Sequence, residues 1–264
     1  GVHVARSGVI WITTRTGIKE RRISAADEFT SDMAAQAALR AMKMAGITAE
    51  QIDLIIIATI TPDMPFPSTA CLVQQKIGAR RAAAFDIEAA CSGFIYGLEV
   101  GQQFIMSRTY DTVLVIGAEK LSSIVDWQDR NTCVLFGDGA GAAILQNRPN
   151  SHGLLTAVMG ADGGKANLLT MPAGGSRCPA TADSVNARLH YLRMDGKETF
   201  KSAVQAMLTA AQEALRRCEL DITQIKCVIP HQANRRIIDA VGDRLGVTPE
   251  QLFVNLDRYG NTSA

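Results

Sequence analysis

Cys91, His231 and Asn261 are the residues of this chain whose types and positions could do nucleophilic chemistry. Cys91 stands in a corner between a strand predicted over 82–87 and a helix that follows it. The apolar run 227–229 ends at Pro230, which places His231 at the exit of a predicted strand, and Asn261 lies in a Gly-Asn turn signature. A thiol at the first turn of a helix faces unpaired N–H groups and the positive end of the helix dipole, so its nucleophilic thiolate is favoured. Alone, an apolar-flanked Cys is more often an inert core residue, but the three residues together predict covalent catalysis.

The segments around these three residues match a known family in the same order along the chain. Residues 89–94, 230–234 and 260–264 resemble the three active-site motifs of the β-ketoacyl-acyl-carrier-protein synthase III family. Segments 11–18, 136–142 and 172–177 resemble further parts of it, so the likeness runs from about Trp11 to the last residue. Members are initiating condensing enzymes of type II fatty-acid synthesis. The resemblance therefore implies an acyltransferase that condenses a short acyl-CoA with malonyl-acyl-carrier protein and releases carbon dioxide.

The resemblance also implies a role for each matched residue. Cys91 would carry the acyl group as a thioester, while His231 and Asn261 would donate hydrogen bonds to the malonyl thioester oxygen. Coenzyme A would be held at its adenine by Trp11, Arg15 and Arg130, and along its pantetheine arm by Gly196 and Asn234. The acyl pocket would include Phe66, which reaches across a homodimer interface, and Phe136. The acidic carrier protein would dock on Arg235 and Arg236. The implied reaction requires no metal and no cofactor beyond the coenzyme A thioester substrate.

Composition excludes several other classes of function. The 264 residues are 47% hydrophobic with a net charge of +1, which argues against a nucleic-acid-binding protein that works by bulk electrostatics. No apolar run approaches the roughly 20 residues of a membrane span, and no signal-peptide pattern opens the chain. The six Cys include no Cys-x-x-Cys pair, so neither a usual zinc spacing nor a disulfide framework is predicted. A reduced, cytoplasmic setting fits this pattern best.

Alternating strands and helices predict an α/β fold. Strands are predicted over 52–58, 82–87, 112–118, 140–146, 154–159 and 167–171, and helices over 34–45, 71–77 and 199–218. The polar segment 147–153 divides the chain into halves, 1–150 with the nucleophile and 151–264 with His231 and Asn261. A similar helix-to-strand pattern begins at Ala38 and again at Ala214, which suggests duplication. The resemblance implies a thiolase-like layered αβαβα fold with two pseudo-symmetric halves, apparently truncated at both ends.

Other classes of protein share parts of this pattern. A papain-like cysteine protease also uses Cys, His and Asn in this order, but its Cys-Gly-x-Cys-Trp context is absent here. A non-catalytic homologue, or another thiolase-fold enzyme that condenses acyl-CoA, stays open as an alternative. The glycines of segment 137–142 fit a relaxed dinucleotide-binding fingerprint. Because a strand is predicted after them where the fingerprint requires a helix, they are interpreted as a structural turn.

Overall fold

A computed structural model describes residues 6–148 and 153–264. The helices of this described part are α1 (Arg6–Thr16), α2 (Thr30–Ala45), α3 (Thr69–Ile77), α4 (Gly93–Met106), α5 (Ala182–Asn186), α6 (Gly196–Arg217), α7 (Arg235–Leu245) and α8 (Leu256–Tyr259). Its strands are β1 (Leu54–Ala58), β2 (Ala83–Ile87), β3 (Thr112–Glu119), β4 (Gly139–Gln146), β5 (Leu169–Thr170) and β6 (Arg193–Met194).

The chain forms two compact units, each assembled from separate segments. The first unit comprises the described residues of 1–22, 121–137 and 158–261, and the second comprises 23–120, 138–157 and 262–264. The predicted halves 1–150 and 151–264 describe an internal duplication and not compact units. The division into these halves stays a prediction. Part of the boundary segment predicted over 147–153, residues 149–152, lies outside the described residues.

A four-stranded mixed sheet, in the order β2-β1-β3-β4, forms the centre of the second unit. β1 runs parallel to both β2 and β3, while β3 pairs antiparallel with β4. Every residue of β1 and β3 is buried, as expected for strands that helices cover on both faces. Side chains alternate between the faces, with α2 and α3 packed on one and α4 on the other. This arrangement brings the carboxyl ends of β1, β2 and β3 to one edge of the sheet.

Glycines on α4 allow this helix to lie very close to the sheet. A Cβ built on Gly93 would lie 2.7 Å from Ala58 Cβ, and one on Gly97 would lie 2.8 Å from Val115 Cγ1. A Cβ on Gly101 would lie 3.0 Å from Leu145 Cδ1. Real Cβ atoms are essentially never found at the first two distances, and the third is tighter than most real contacts. The helix could therefore not keep this position with larger residues at Gly93 and Gly97.

The first unit is mainly helical. α6 and α7 pack around Val204, Ile237 and Val241, and a second small core joins Ile18, Ile238 and Leu256. α6 begins after Asp195, whose side chain accepts a hydrogen bond from the Glu198 N–H at 3.1 Å. Two-residue strands β5 and β6 pair antiparallel beside it.

Most predicted elements are confirmed. The strands predicted over 52–58, 82–87, 112–118 and 140–146 correspond to β1 to β4, and the helices predicted over 34–45, 71–77 and 199–218 correspond to α2, α3 and α6. After the glycines of segment 137–142 the chain continues as strand β4, so the structural context of a dinucleotide-binding fingerprint is missing.

Three predicted strands are wrong or much shorter than expected. No strand forms over 154–159, where Leu155 is 75% exposed. Of 167–171 only Leu169–Thr170 is a strand, because a 3-10 helix, Gly163–Leu168, occupies the approach to it. The run 227–229 is reduced to one parallel bridge between Val228 and Leu252. An apolar run becomes a strand only where a neighbouring strand satisfies its backbone groups.

Candidate functional site

Cys91 belongs to the second unit and lies in the connection between β2 and α4. A single 3-10 turn, Ala90–Ser92, leads directly into α4 at Gly93, which confirms the predicted position of the thiol at a helix N-terminus. Ala90 has a φ of 44°, a left-handed conformation that costs an L-residue about 1–2 kcal/mol. Such backbone strain persists only where the surrounding structure imposes it, and it is concentrated at functional sites.

A hydroxyl from the last residues of the chain lies beside this thiol. Cys91 is half-buried and takes part in no disulfide, and its Sγ is 3.7 Å from Ser263 Oγ. Segment 262–264 passes against β3, since a Cβ on Gly117 would lie 2.9 Å from the carbonyl carbon of Ala264. The bare backbone at Gly117 thus leaves room for the segment that carries the hydroxyl.

His231 belongs to the first unit, in a segment without regular secondary structure that leads into α7. The residue after it, Gln232, holds this segment in place, because its Oε1 accepts hydrogen bonds from the N–H groups of Asn255 and Leu256 at 3.0 and 3.1 Å. These N–H groups lie at the start of α8, so Gln232 fixes the segment of His231 relative to that helix. Sequence reasoning gave Gln232 no role. Its position next to His231 was the one signal that could have indicated a role in holding this segment.

Asn261 follows α8 in the first unit and is buried against Phe136. Its N–H donates to the carbonyl of Leu135 at 3.0 Å, and its own carbonyl accepts from the Gly137 N–H at 2.9 Å. Gly260 makes this approach possible, because its φ is 69° and a Cβ there would lie 2.9 Å from the Leu135 carbonyl oxygen. The structure therefore brings Asn261 and Phe136 together.

Trp11, Arg15 and Arg130 form a cluster in the first unit, referred to below as the Trp11 cluster. The guanidinium carbon of Arg15 lies 5.3 Å from the Trp11 ring centroid, and that of Arg130 lies 5.4 Å from it. Trp11 is 40% exposed. Two cations and an accessible indole can hold a planar base and its phosphates by stacking and charge.

The start of α7 carries the remaining predicted residues of the first unit, apart from Gly196 at the start of α6. Asn234 caps α7, with its Oδ1 accepting from the Ile237 N–H at 3.0 Å. Arg235 and Arg236 are exposed. Arg235 donates to Asp239 at 2.7 Å, whereas Arg236 stacks on the Phe200 ring at 5.5 Å.

Phe66 belongs to the second unit and is 87% exposed, in the segment 59–68 between β1 and α3. Carboxylates hold this segment at Asp63 and at its junction with α3. Asp63 accepts hydrogen bonds from the N–H and Oγ of Ser31 at 2.8 and 2.6 Å, and Asp86 accepts from the N–H of Thr69 at 2.7 Å. Burial raises the pKa of Asp86 above its ordinary value. Because the segment is held in place and Phe66 is exposed, this side chain is available to contact another molecule.

Glu119, a third carboxylate at the end of β3, was missed by sequence reasoning. Its side chain is fully buried and accepts hydrogen bonds from Thr59 and Thr61 Oγ1 at 3.2 and 2.6 Å and from the Ile60 and Thr61 N–H groups at 3.1 Å. Burial raises the pKa of Glu119 to about 7, and these hydrogen bonds oppose a further rise. A Glu followed by Lys120 at the end of a strand is normally a surface pair, so the sequence offered little signal.

Two kinds of feature are absent from the part of the chain that the structure describes. Within residues 6–148 and 153–264, no three His, Cys, Asp or Glu side chains are grouped so as to hold a metal ion. Over the same residues, no helix has the length and apolar character needed to cross a bilayer.

Comparisons with known proteins agree on one family. Its model, described as 3-oxoacyl-[acyl-carrier-protein (ACP)] synthase III, matches residues 85–163, and the model of its C-terminal part matches residues 215–264. The β-ketoacyl-[acyl-carrier-protein] synthase III of Caldanaerobacter subterraneus is 56% identical over 96% of this chain and 77% of its own length. That of Natranaerobius thermophilus is 54% identical over 96% and 78%. The crystal structure of 3-oxoacyl-[acyl-carrier-protein] synthase III from Aquifex aeolicus matches with a TM-score of 0.88 and 48% identity, over 97% of this chain and 78% of that one.

Proposed function

Because this chain belongs to the β-ketoacyl-acyl-carrier-protein synthase III family, we propose that it condenses a short acyl-CoA with malonyl-acyl-carrier protein to initiate fatty-acid synthesis. The predicted thiolase-like α/β fold is confirmed by the structural matches. The observation that carries the proposal is the strained corner that holds Cys91 at the start of α4.

In the first half-reaction, Cys91 acts as the nucleophile. Its thiolate attacks the thioester carbonyl of acyl-CoA, coenzyme A leaves as the thiol, and the acyl group remains on Cys91 as a new thioester. The N–H groups of the first turn of α4 favour negative charge at this position in both the thiolate and the transition state.

In the second half-reaction, His231 and Asn261 act on malonyl-acyl-carrier protein. Loss of carbon dioxide leaves a carbanion equivalent whose charge spreads onto the thioester oxygen, where two neutral hydrogen-bond donors stabilise it. The carbanion carbon then attacks the acyl carbonyl, and the Cys91 thiolate leaves and regains a proton. The product is a β-ketoacyl-acyl-carrier protein. This sequence consumes no oxidant, reductant or cofactor.

The family resemblance extends the proposal to the substrate contacts of the other residues. The Trp11 cluster would bind the adenine end of coenzyme A, and Gly196 and Asn234 would contact the pantetheine arm. Phe66 and Phe136 would bound the acyl pocket. The buried pairing of Phe136 with Asn261 supports a rigid wall there, and the exposure of Phe66 supports a contact with a second copy of the chain.

The proposal extends to the partners and the setting of the protein. Arg235 and Arg236, exposed at the start of α7, would receive the acidic carrier protein, and two copies of the chain would form a homodimer. A cytoplasmic location fits the thiol pattern, because the cysteines of the described residues form no disulfides.

Acyl transfer to a single cysteine tests the proposal. The protein is incubated with radiolabelled acetyl-CoA and the labelled peptide is mapped. We expect label on Cys91, its loss in Cys91→Ser, and full labelling in the matched control Cys71→Ser, since Cys71 is exposed but lies on another helix. Label that persists in Cys91→Ser, or that maps to Cys133, would contradict the assignment. Burial raises the pKa of Cys133 and so disfavours its thiolate.

A further inference from the structure

Residues 121–137, here called the Arg130 loop, carry one half of the Trp11 cluster on a segment with little regular structure. Its only helical turn is the 3-10 turn Leu121–Ser123, and Trp127, Gln128 and Arg130 are exposed at its tip. The tip is stabilised internally, for example by the Asn131 N–H donating to Asp129 Oδ1 at 3.0 Å. Such a loop needs fixed points elsewhere if Arg130 is to stay over Trp11.

An ion pair provides the first fixed point. Arg188 binds both carboxylate oxygens of Asp126, with Nε 3.0 Å from Oδ2 and Nη2 bonded to Oδ1. The Asp126 side chain is only 18% exposed, and Arg188 lowers the pKa of this carboxyl. Two parallel hydrogen bonds fix the orientation of the carboxylate as well as its distance. Asp126 Oδ1 also accepts from the Gln128 N–H at 2.8 Å, so the same carboxylate orders the turn that leads towards Arg130.

The segment that carries Arg188 is itself held in an unusual conformation. Arg188 has a φ of 55°, and its guanidinium stacks on the Tyr191 ring at 4.9 Å. The Leu192 N–H donates to the carbonyl of Ile124 at 2.9 Å, which places a backbone hydrogen bond beside the ion pair. A non-glycine residue keeps a left-handed backbone only when its surroundings require it.

A second arginine fixes the other end of the loop. Arg21 Nη1 donates to the carbonyls of Cys133 and Phe136, and its guanidinium lies 5.8 Å from the Trp127 ring centroid. Arg130 is therefore carried between two points that are held from outside the loop, at Asp126 and at Cys133.

We propose that Arg188, through its ion pair with Asp126, positions the Arg130 loop and thereby sets the affinity for coenzyme A thioesters without touching them. This inference rests on the proposed binding of the coenzyme A adenine by the Trp11 cluster. Arg188 is a positioning residue. Its loss should leave the chemistry at Cys91 intact and weaken only a substrate that carries adenine.

The two substrates of the reaction give the sharpest test, because acetyl-CoA contains an adenine and malonyl-acyl-carrier protein does not. For Arg188→Gln we expect the KM for acetyl-CoA to rise about tenfold, equivalent to about 1.4 kcal/mol. The KM for malonyl-acyl-carrier protein and kcat should stay nearly unchanged. Asp126→Asn should give the same pattern, and the double variant should be no worse than either single one, since both remove the same interaction. Arg193→Gln, which removes an exposed arginine on nearby β6, is the matched control.

Tryptophan fluorescence provides a readout of the loop that does not depend on activity. The chain has two Trp residues, and Trp127 directly follows Asp126. In a Trp11→Phe background, Trp127 is the sole emitter, and Arg188→Gln should increase its quenching by acrylamide. Arg193→Gln should leave the quenching unchanged.

Each result separates this inference from the function on which it rests. If Arg130→Gln leaves the KM for acetyl-CoA unchanged, the proposed adenine site is wrong and the inference fails with it. If Arg130→Gln raises that KM but Arg188→Gln does not, only the inference is overturned. Equal losses with both substrates for Arg188→Gln would show general destabilisation and would also overturn it.

Discussion

Replacing the buried Glu119 with Gln should change how the stability of the protein depends on pH. Burial raises the pKa of this carboxyl from 4.5 to about 7 in the folded protein. Between these two values the folded state holds a proton that the unfolded state has released, so the free energy of unfolding falls as pH rises. Its stabilising contribution is complete below pH 4.5 and is lost as pH rises through about 7. At about 1.4 kcal/mol per pH unit, the total loss is on the order of 3 kcal/mol.

The difference between wild type and Glu119→Gln isolates this effect, because the other groups titrate in both proteins. Urea unfolding followed by circular dichroism at several pH values gives the free energy of unfolding of each. Relative to Glu119→Gln, the wild type should lose about 2–3 kcal/mol between pH 5 and pH 8.

Glu213 on α6 offers a matched control of opposite sign. Its side chain is half-buried, and hydrogen bonds from Arg216 and Arg217 lower its pKa to about 2. Any stability it adds is present above pH 4.5 and is lost only as pH falls towards 2. The difference between wild type and Glu213→Gln should therefore be flat from pH 5 to 8. Parallel stability curves for wild type and Glu119→Gln would refute the reasoning, since they would mean that burial does not perturb this carboxyl.

Three further predictions concern catalysis, docking and packing. His231→Ala and Asn261→Ala should each lower malonyl decarboxylation by about 10²–10³-fold while acyl transfer to Cys91 continues; normal decarboxylation in a radiolabelled carbon dioxide release assay would place the oxygen's donors elsewhere. Arg236→Glu should raise the KM for malonyl-acyl-carrier protein, more at low salt than at high salt, and leave that for acetyl-CoA intact; the same loss in Arg244→Glu, at the far end of α7, would mean a diffuse charge effect. Gly97→Ala should cost about 1–3 kcal/mol in urea unfolding through overpacking, and an unchanged midpoint would show that α4 can move.

The sequence predicted those elements whose patterns depend on burial alone. β1 and β3 are continuous apolar runs because helices cover both of their faces, and the runs alone were sufficient to identify them. The segment 154–159 has a similar apolar content, but it forms no strand and Leu155 is left exposed. Whether an apolar run finds a partner strand is a property of the whole fold, which a local pattern does not contain.

The residues of the candidate site also differ in whether local sequence was sufficient to predict them. The corner that holds Cys91 is local, so the strand, the small residues and the helix that follow one another in sequence were enough to predict it. The approach of Arg130 to Trp11 joins distant segments and came only from the family resemblance. Glu119, Gln232 and Arg188 were not predicted, because each acts by hydrogen-bonding a segment far away in sequence.

The glycines on α4 have a mechanical consequence for the nucleophile. Gly93 and Gly101 are eight residues apart, about 12 Å along the helix axis, and the clearance above the sheet is smallest at the Gly93 end, next to Cys91. A methyl group added at Gly101 would tilt α4 about its N-terminal end and leave the sulfur almost in place. The same methyl at Gly93 would lift that end and carry the sulfur with it. The height of the reactive sulfur above the sheet is thus set by one missing side chain, and tolerance to substitution should increase along the helix with distance from it.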